Sequence, residues 1–138
     1  MKLQEFLNEL PMDWVLAPIY KKDAPMKSGK LATGKNPFEP SFEKPFNKHD
    51  AKLAFDKNST LGAVGLFTGV RGGGIVILDI DKNLGVLKRK FGATLDGAPV
   101  VTSTRANAAK YIFKLDEALW GEVSGFGHSD VHSDGYEV

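Results

Sequence analysis

The chain has no cysteine among its 138 residues, and it has no long hydrophobic run. Without cysteine it forms no disulfide, has no thiolate nucleophile and offers no thiolate ligand for zinc. No apolar stretch approaches the roughly 18 residues that a transmembrane helix needs. The N-terminal segment Met1-Lys2-Leu3-Gln4-Glu5 lacks the apolar core of a secretory signal. We therefore expect a globular protein of the reducing cytoplasm, with no membrane partner.

Positively charged residues are missing from the end of the chain, although the net charge of the whole chain is close to zero, at +1. Residues 116–138 hold six acidic residues and no lysine or arginine, whereas residues 61–115 hold eight lysines and arginines against three aspartates. A basic segment that contains an acidic cluster suits phosphates bridged by metal ions. A mixed, solvated surface that binds nothing would give the same counts.

The hydrophobic fraction of 42% and the length are typical of one globular domain with a real core. The apolar periodicity predicts short helices at residues 3–10, 49–56 and 83–90, with Asn83 as an N-cap and Gly92 as the C-terminal stop. Another helix is predicted to begin at Asp116. Strands are predicted at residues 13–17, 62–67, 75–81, 99–102 and 109–115, and a further one begins at Tyr136.

The stretch from Gly72 to Asp81 is the most informative in the sequence, because an unbroken apolar run leads into Asp79-Ile80-Asp81. Side chains alternate along a strand, so both aspartates share one face, roughly 7 Å apart along the chain. Two carboxylates at the end of a buried strand repel each other and resist burial unless a cation neutralises them. Magnesium prefers such oxygen ligands. Alternatively, the pair lies in water beyond the strand and caps a helix.

Three consecutive glycines, Gly72 to Gly74, precede this strand. They permit positive φ angles and a close approach of the backbone to another group. No Gly-Lys-Ser/Thr follows them, so the segment is not a P-loop. We expect the turn to join the strands at 62–67 and 75–81 as a hairpin with a long loop.

A lysine-rich loop fills residues 21–48, with seven lysines and little periodicity. Phe38, Phe42 and Phe46 recur every four residues in it. These rings either fix the loop to the body of the protein or present their faces to bases. The lysines either follow a phosphate backbone or are simply solvated.

Taken in order, these motifs resemble the N-terminal domain of bifunctional DNA primase-polymerases, which belong to the archaeo-eukaryotic primase superfamily. The resemblance covers residues 11–138 and is carried by five pieces of the sequence: Trp14 with Pro18, Leu66-Phe67-Thr68-Gly69, Ile77-Leu78-Asp79-Ile80-Asp81, the segment from Thr102 to Phe113, and Tyr136-Glu137-Val138. It implies a single α+β domain over residues 1–138, mainly an antiparallel sheet with flanking helices. Because the family domain continues past the third motif, we expect this chain to be truncated at its C-terminal end.

The resemblance also implies an activity and a set of site residues. The activity is template-directed nucleotidyl transfer from nucleoside triphosphates in the replication of a plasmid, phage or similar element. The implied partners are a DNA template and primer and the nucleoside triphosphates, with a helicase domain or subunit as a further candidate. Asp79, Asp81 and Glu137 correspond to the catalytic ligands of Mg²⁺ or Mn²⁺, and Lys110 occupies the place of a family histidine that contacts phosphates. Further phosphate contacts are expected from Ser103, Thr104 and Arg105.

Two alternatives to a primase-polymerase remain open at this point. One is a catalytically weak or inactive module of a replication protein that binds nucleic acid or nucleotides, which the lysine at position 110 favours. The other is a metal-dependent, nuclease-like hydrolase that uses the same aspartates.

Overall fold

Short antiparallel strands and a few helices make up the computed structural model, which describes residues 2–102, 104–123, 126 and 130–138. The expected α+β class is thereby confirmed. The chain divides into two compact units, residues 1–67 and residues 68–138. The prediction that residues 1–138 form one domain of primase-polymerase type stays a prediction. Among the described residues, no helix combines the length and the hydropathy needed to cross a bilayer.

The first unit contains three helices and two strands: α1 (Leu3–Glu9), β1 (Leu16–Tyr20), α2 (Pro40–Glu43), α3 (Lys48–Lys57) and β2 (Leu61–Leu66). Strand β1 pairs antiparallel with β2. The predicted strand at 13–17 is therefore displaced along the chain and includes Pro18. Proline is tolerated there because β1 is an edge strand of a two-stranded sheet, and the Pro18 carbonyl oxygen accepts the Phe38 N–H at 2.7 Å.

Residues 21–35, which we call the lysine finger, form a hairpin-like loop between β1 and α2. Backbone hydrogen bonds run from Ala32 N to Ala24 O at 2.8 Å and from Met26 N to Lys30 O at 3.0 Å. Ala24 and Ala32 are buried in a cluster with Tyr20 and Leu61. The base of the finger is therefore part of the core of the first unit, although most of its lysines are exposed.

Tyr20 ties this core to the carboxylate of Glu39, which accepts a hydrogen bond from the Tyr20 phenol. Burial, the hydrogen bond and the negative charge of Glu39 raise the pKa of Tyr20 to about 12. Burial acts to raise the pKa of Glu39 as well. Hydrogen bonds from Tyr20 and from backbone N–H groups, including that of Lys27, outweigh this effect, and the pKa of Glu39 is lowered.

We expect stability to fall between pH 10 and pH 12 on account of Tyr20. In the unfolded chain the phenol ionises near its ordinary pKa of 10.0, whereas the folded chain keeps the proton to about 12, so only the unfolded state loses a proton in this window. Subtracting the phenolate absorbance titration of Tyr20→Phe from that of the wild type should leave a transition near pH 12. A difference transition at the ordinary pKa would contradict the prediction.

The described residues of the second unit form one sheet and one α-helix. Its elements are β3 (Ile75–Ile80), α4 (Leu84–Phe91), β4 (Val100–Thr102), β5 (Ala109–Lys114), β6 (Val131–His132) and β7 (Tyr136–Glu137), with short 3₁₀ helices at Gly92–Leu95 and Glu117–Glu122. The strand order is β4-β5-β3-β7-β6, and every neighbouring pair is antiparallel. Strand β3 therefore occupies the centre of the sheet.

The expected hairpin between β2 and β3 is wrong. Strand β2 pairs with β1, and the two edges of β3 pair with β5 and β7. The glycine turn instead closes on itself, with Gly74 N donating to Gly69 O and Gly69 N donating to Ile75 O, both at 2.9 Å. Its positive φ angles are confirmed at Gly73 and Gly74.

Helix α4 packs its apolar side against one face of the sheet. Leu87 is buried in a cluster with Leu78, Ile80 and Tyr111, and Leu84 packs beside it, as expected. Gly92 ends the helix at a φ of 55°. The predicted side-chain cap at Asn83 is wrong, because Asn83 has a left-handed backbone (φ 62°) and its side chain makes no capping hydrogen bond.

The hairpin of β6 and β7 is attached to the end of α4 through aromatic and ionic contacts. The Tyr136 ring stacks on His132 with centroids 4.2 Å apart and meets Phe91 edge-on at 5.3 Å. Lys90 lies 5.3 Å from the centroid of the Tyr136 ring and contacts Asp134 at 2.9 Å. This hydrogen bond raises the pKa of Lys90 and lowers that of Asp134.

Candidate active site

Asp79 lies at the centre of the sheet, and its two cross-strand neighbours are both charged. Lys110 on β5 is directly opposite Asp79 on one side, and Glu137 on β7 is directly opposite on the other. Directly opposite residues of an antiparallel pair project from the same face, with Cβ atoms about 4.5–5.5 Å apart. The sheet therefore presents Lys110, Asp79 and Glu137 as one row of alternating charge.

Asp81 follows the last residue of β3 and continues its pairing with the β7 hairpin. The Asp81 N–H donates to the carbonyl oxygen of Gly135 at 2.9 Å. This extended pairing keeps the alternation of side chains, which places Asp81 on the same face as Asp79. The three predicted carboxylates thus come from two neighbouring segments and share one face of the sheet.

Each aspartate is held by a cation from the chain itself. Lys110 Nζ contacts Asp79 Oδ2, and Arg105 Nη2 contacts Asp81 Oδ1 at 2.8 Å. The side chains of Asp81 and Arg105 are 53% and 67% exposed, and those of Asp79 and Lys110 are 28% and 49% exposed. Ion pairs this open to solvent stabilise a protein by only about 0–1 kcal/mol. Either cation can therefore leave its carboxylate at little cost.

Two of the predicted phosphate contacts, Thr104 and Arg105, lie on the loop between β4 and β5. Thr104 and Arg105 are exposed there, and Arg105 reaches back to the acidic face through Asp81. Ser103 lies outside the described residues. The structure thus brings Arg105 and Lys110 to the carboxylates, and it leaves Thr104 on the exposed loop next to Arg105.

A divalent cation fits the chemistry of the three carboxylates, because carboxylate oxygens are the ligands that magnesium prefers. Asp79 and Glu137 are directly opposite each other in the sheet, a position that brings Cβ atoms to about 4.5–5.5 Å. Within the described residues, no three histidine, aspartate or glutamate side chains converge as a ready metal site. The carboxylate oxygens of Asp79 and Asp81 are instead directed to Lys110 and Arg105. A metal ion at this position would have to replace the positive charges of Lys110 and Arg105.

Sequence reasoning assigned Lys110 and Arg105 to phosphates and missed their contacts with the aspartates. The alternation of residues 109–115 correctly separated the face of Lys110 from the face of Tyr111. The missing information was the register of β5 on β3, which sets Lys110 opposite Asp79. One signal in the sequence was available for this pairing. Asp79 lies near the end of β3 and the oppositely charged Lys110 lies near the start of β5, as expected for residues that face each other in an antiparallel pair.

In comparisons with known proteins, no family model, no curated protein and no solved structure matches the chain. The resemblance to primase-polymerases therefore depends on the motifs in the sequence.

Proposed function

We propose that the chain is a DNA primase-polymerase domain that catalyses metal-dependent, template-directed nucleotidyl transfer from nucleoside triphosphates. The observation that carries the proposal is the shared face of Asp79, Asp81 and Glu137 at the centre of the sheet. Two cationic side chains, Lys110 and Arg105, lie in contact with that face. Carboxylates surrounded by cations form the charge pattern that a metal-bound triphosphate requires.

The chain's own residues have distinct parts in this proposal. Asp79, Asp81 and Glu137 hold Mg²⁺ or Mn²⁺, which when bound lowers the pKa of an attacking hydroxyl and neutralises phosphate charge. Lys110 and Arg105 would donate hydrogen bonds to the phosphates and orient the triphosphate if the aspartates held a metal ion. In the proposal, the hydroxyl groups of Thr104 and Ser103 donate further hydrogen bonds to the phosphates. Thr104 is exposed.

The partners follow from the same chemistry. A nucleoside triphosphate supplies the phosphates, and a DNA primer on its template supplies the attacking hydroxyl. A helicase domain or subunit fits a role in replication, and the absence of cysteine fits the cytoplasm.

A binding module without catalysis is the second candidate, and a specific observation favours it. Lys110 and Arg105 already neutralise the two aspartates without a metal ion, which leaves only the charge of Glu137 to be balanced. In this alternative the domain binds nucleotides or nucleic acid within a replication protein, and the carboxylates serve only to position the cations.

Extension of a labelled primer on a template, with Mg²⁺ or Mn²⁺ and nucleoside triphosphates, tests the proposal. Metal-dependent extension supports the polymerase. Binding of the primer-template without extension supports the binding module. Shortening of the labelled strand would point to a hydrolase and would overturn both.

We expect Lys110→Gln to raise the KM for nucleoside triphosphates about 10- to 100-fold, because a charge-assisted hydrogen bond contributes about 1.5–3 kcal/mol. Lys110→Arg keeps the charge and should retain most of the affinity. Lys88→Gln removes an exposed lysine on α4 and is the matched control. If Lys88→Gln raises KM as much as Lys110→Gln, Lys110 has no specific contact with phosphate.

A further inference from the structure

The lysine finger is the most basic segment of the first unit. Residues 21–35 carry five lysines against one aspartate, for a net charge of +4. Four of these lysines make no ion pair with another described residue: Lys21, Lys22, Lys30 and Lys35. Cationic side chains that the protein leaves unpaired in such density are available to an anionic partner.

The finger is also held in one shape, so its charges are fixed relative to one another. Its two arms are joined by the backbone hydrogen bonds of Ala24, Ala32, Met26 and Lys30, and Gly29 makes the turn at the tip with a φ of 80°. A preorganised array loses less entropy on binding than a flexible loop would.

An apolar cleft with a basic rim opens in the same unit, next to the core at the base of the finger. Phe38 packs in the cluster that contains Ala24 and Ala32, and it also lines this cleft of about 360 Å³. Phe46 and Leu53 line the cleft as well, and the Phe38 and Phe46 ring centroids are 6.3 Å apart. Asp50, Lys44 and Lys57 add polar groups at its margin.

Unpaired lysines beside an aromatic cleft match one class of partner better than others. Proteins that hold single-stranded nucleic acid combine a basic track for the phosphates with aromatic rings against which bases pack. A duplex would satisfy the lysines but keeps its base faces stacked inside the helix. The carboxylate of Asp50 offers an acceptor for the N–H groups on the edge of an exposed base.

We propose that the first unit binds single-stranded nucleic acid, with the lysine finger on the phosphates and an unstacked base in the cleft of Phe38, Phe46 and Leu53. The site is separate from the acidic face and requires neither a metal ion nor catalysis. It therefore goes beyond the proposed nucleotidyl transfer, and each of the two can fail without the other.

The test is fluorescence anisotropy of a labelled, single-stranded deoxythymidine oligomer, without divalent metal and without nucleotides. Lys22→Gln/Lys30→Gln should lower affinity about tenfold and reduce the salt slope by about 0.7 for each phosphate that is no longer neutralised. Lys88→Gln/Arg89→Gln removes the same charge from exposed positions of α4 and should leave affinity unchanged. Equal losses of affinity in the two double variants would overturn the role of the finger.

The base-binding part is tested with ligands of equal charge. An abasic deoxyribose-phosphate oligomer of the same length should bind several-fold more weakly than the deoxythymidine oligomer, and Leu53→Ala should narrow that difference. Leu53 is 54% exposed, so its truncation leaves the core intact. If the abasic oligomer or a duplex binds as tightly as the single strand, the cleft does not hold a base and the proposal fails.

Discussion

Asp79→Asn and Asp81→Asn are each expected to lower metal-dependent nucleotide incorporation by on the order of 10³-fold, since a bound metal stabilises the transition state by several kcal/mol. An amide keeps the shape of the side chain but removes the charge that attracts the ion. The free energy of unfolding should change by less than about 1 kcal/mol, because the Asp81 ion pair is solvent-exposed and the Asp79 ion pair is partly open to solvent. Primer extension and chemical denaturation measure the two effects separately.

Asp96→Asn is the matched control for these variants, because Asp96 is an exposed aspartate of the same unit that lies away from the acidic row. It should extend primers at the wild-type rate. Wild-type extension by either Asp79→Asn or Asp81→Asn would remove that aspartate from the catalytic set. A folded but inactive wild-type protein would instead favour the binding module.

Gly74→Ala is expected to cause the largest loss of stability, about 2–4 kcal/mol, because it combines backbone strain with a steric clash. Gly74 has a φ of 97°, and a Cβ at this position would lie 2.5 Å from the Leu115 carbonyl oxygen and 2.9 Å from Trp120 Nε1. Trp120 Nε1 also donates to that carbonyl at 3.0 Å. The clash would therefore displace the start of β3, and denaturation followed by tryptophan fluorescence measures the effect.

The neighbouring glycine separates the two contributions. Gly73 also has a positive φ, of 73°, but no atom lies within 4 Å of a Cβ built there. Gly73→Ala should therefore cost only the backbone strain, about 1 kcal/mol. If the two variants lose the same stability, the close packing of Gly74 against Leu115 and Trp120 contributes nothing.

Local signals in the sequence predicted the strand that carries the aspartates. The unbroken apolar run gave its start at Ile75, and alternation placed Asp79 on the face opposite Leu78 and Ile80, as the packing of α4 confirms. The same reasoning put Lys110 and Tyr111 on different faces of β5. These features depend only on residues close together in the chain, and periodicity reports such features well.

Pairing between distant segments could not be read in this way. The glycines indicated a turn with positive φ, which is correct, but they carry no information on whether the flanking strands pair with each other. Strand β7 has only two residues, too few to show any alternation, yet it sets Glu137 beside Asp79. Register across such short ladders is decided by tertiary packing, here that of Tyr136 against Phe91.

One of the three acidic residues, Glu137, lies on β7, a strand of only two residues. Because β7 pairs with β3 over only two residues, the position of Glu137 depends mainly on what fastens its hairpin to α4: the Lys90–Asp134 bridge and the rings around Tyr136. Loosening these contacts would leave Asp79 in place within β3, withdraw Glu137, and release the Asp81 backbone from its hydrogen bond to Gly135. The last turn of α4, on the opposite side of the sheet, thereby determines whether Glu137 stays beside Asp79.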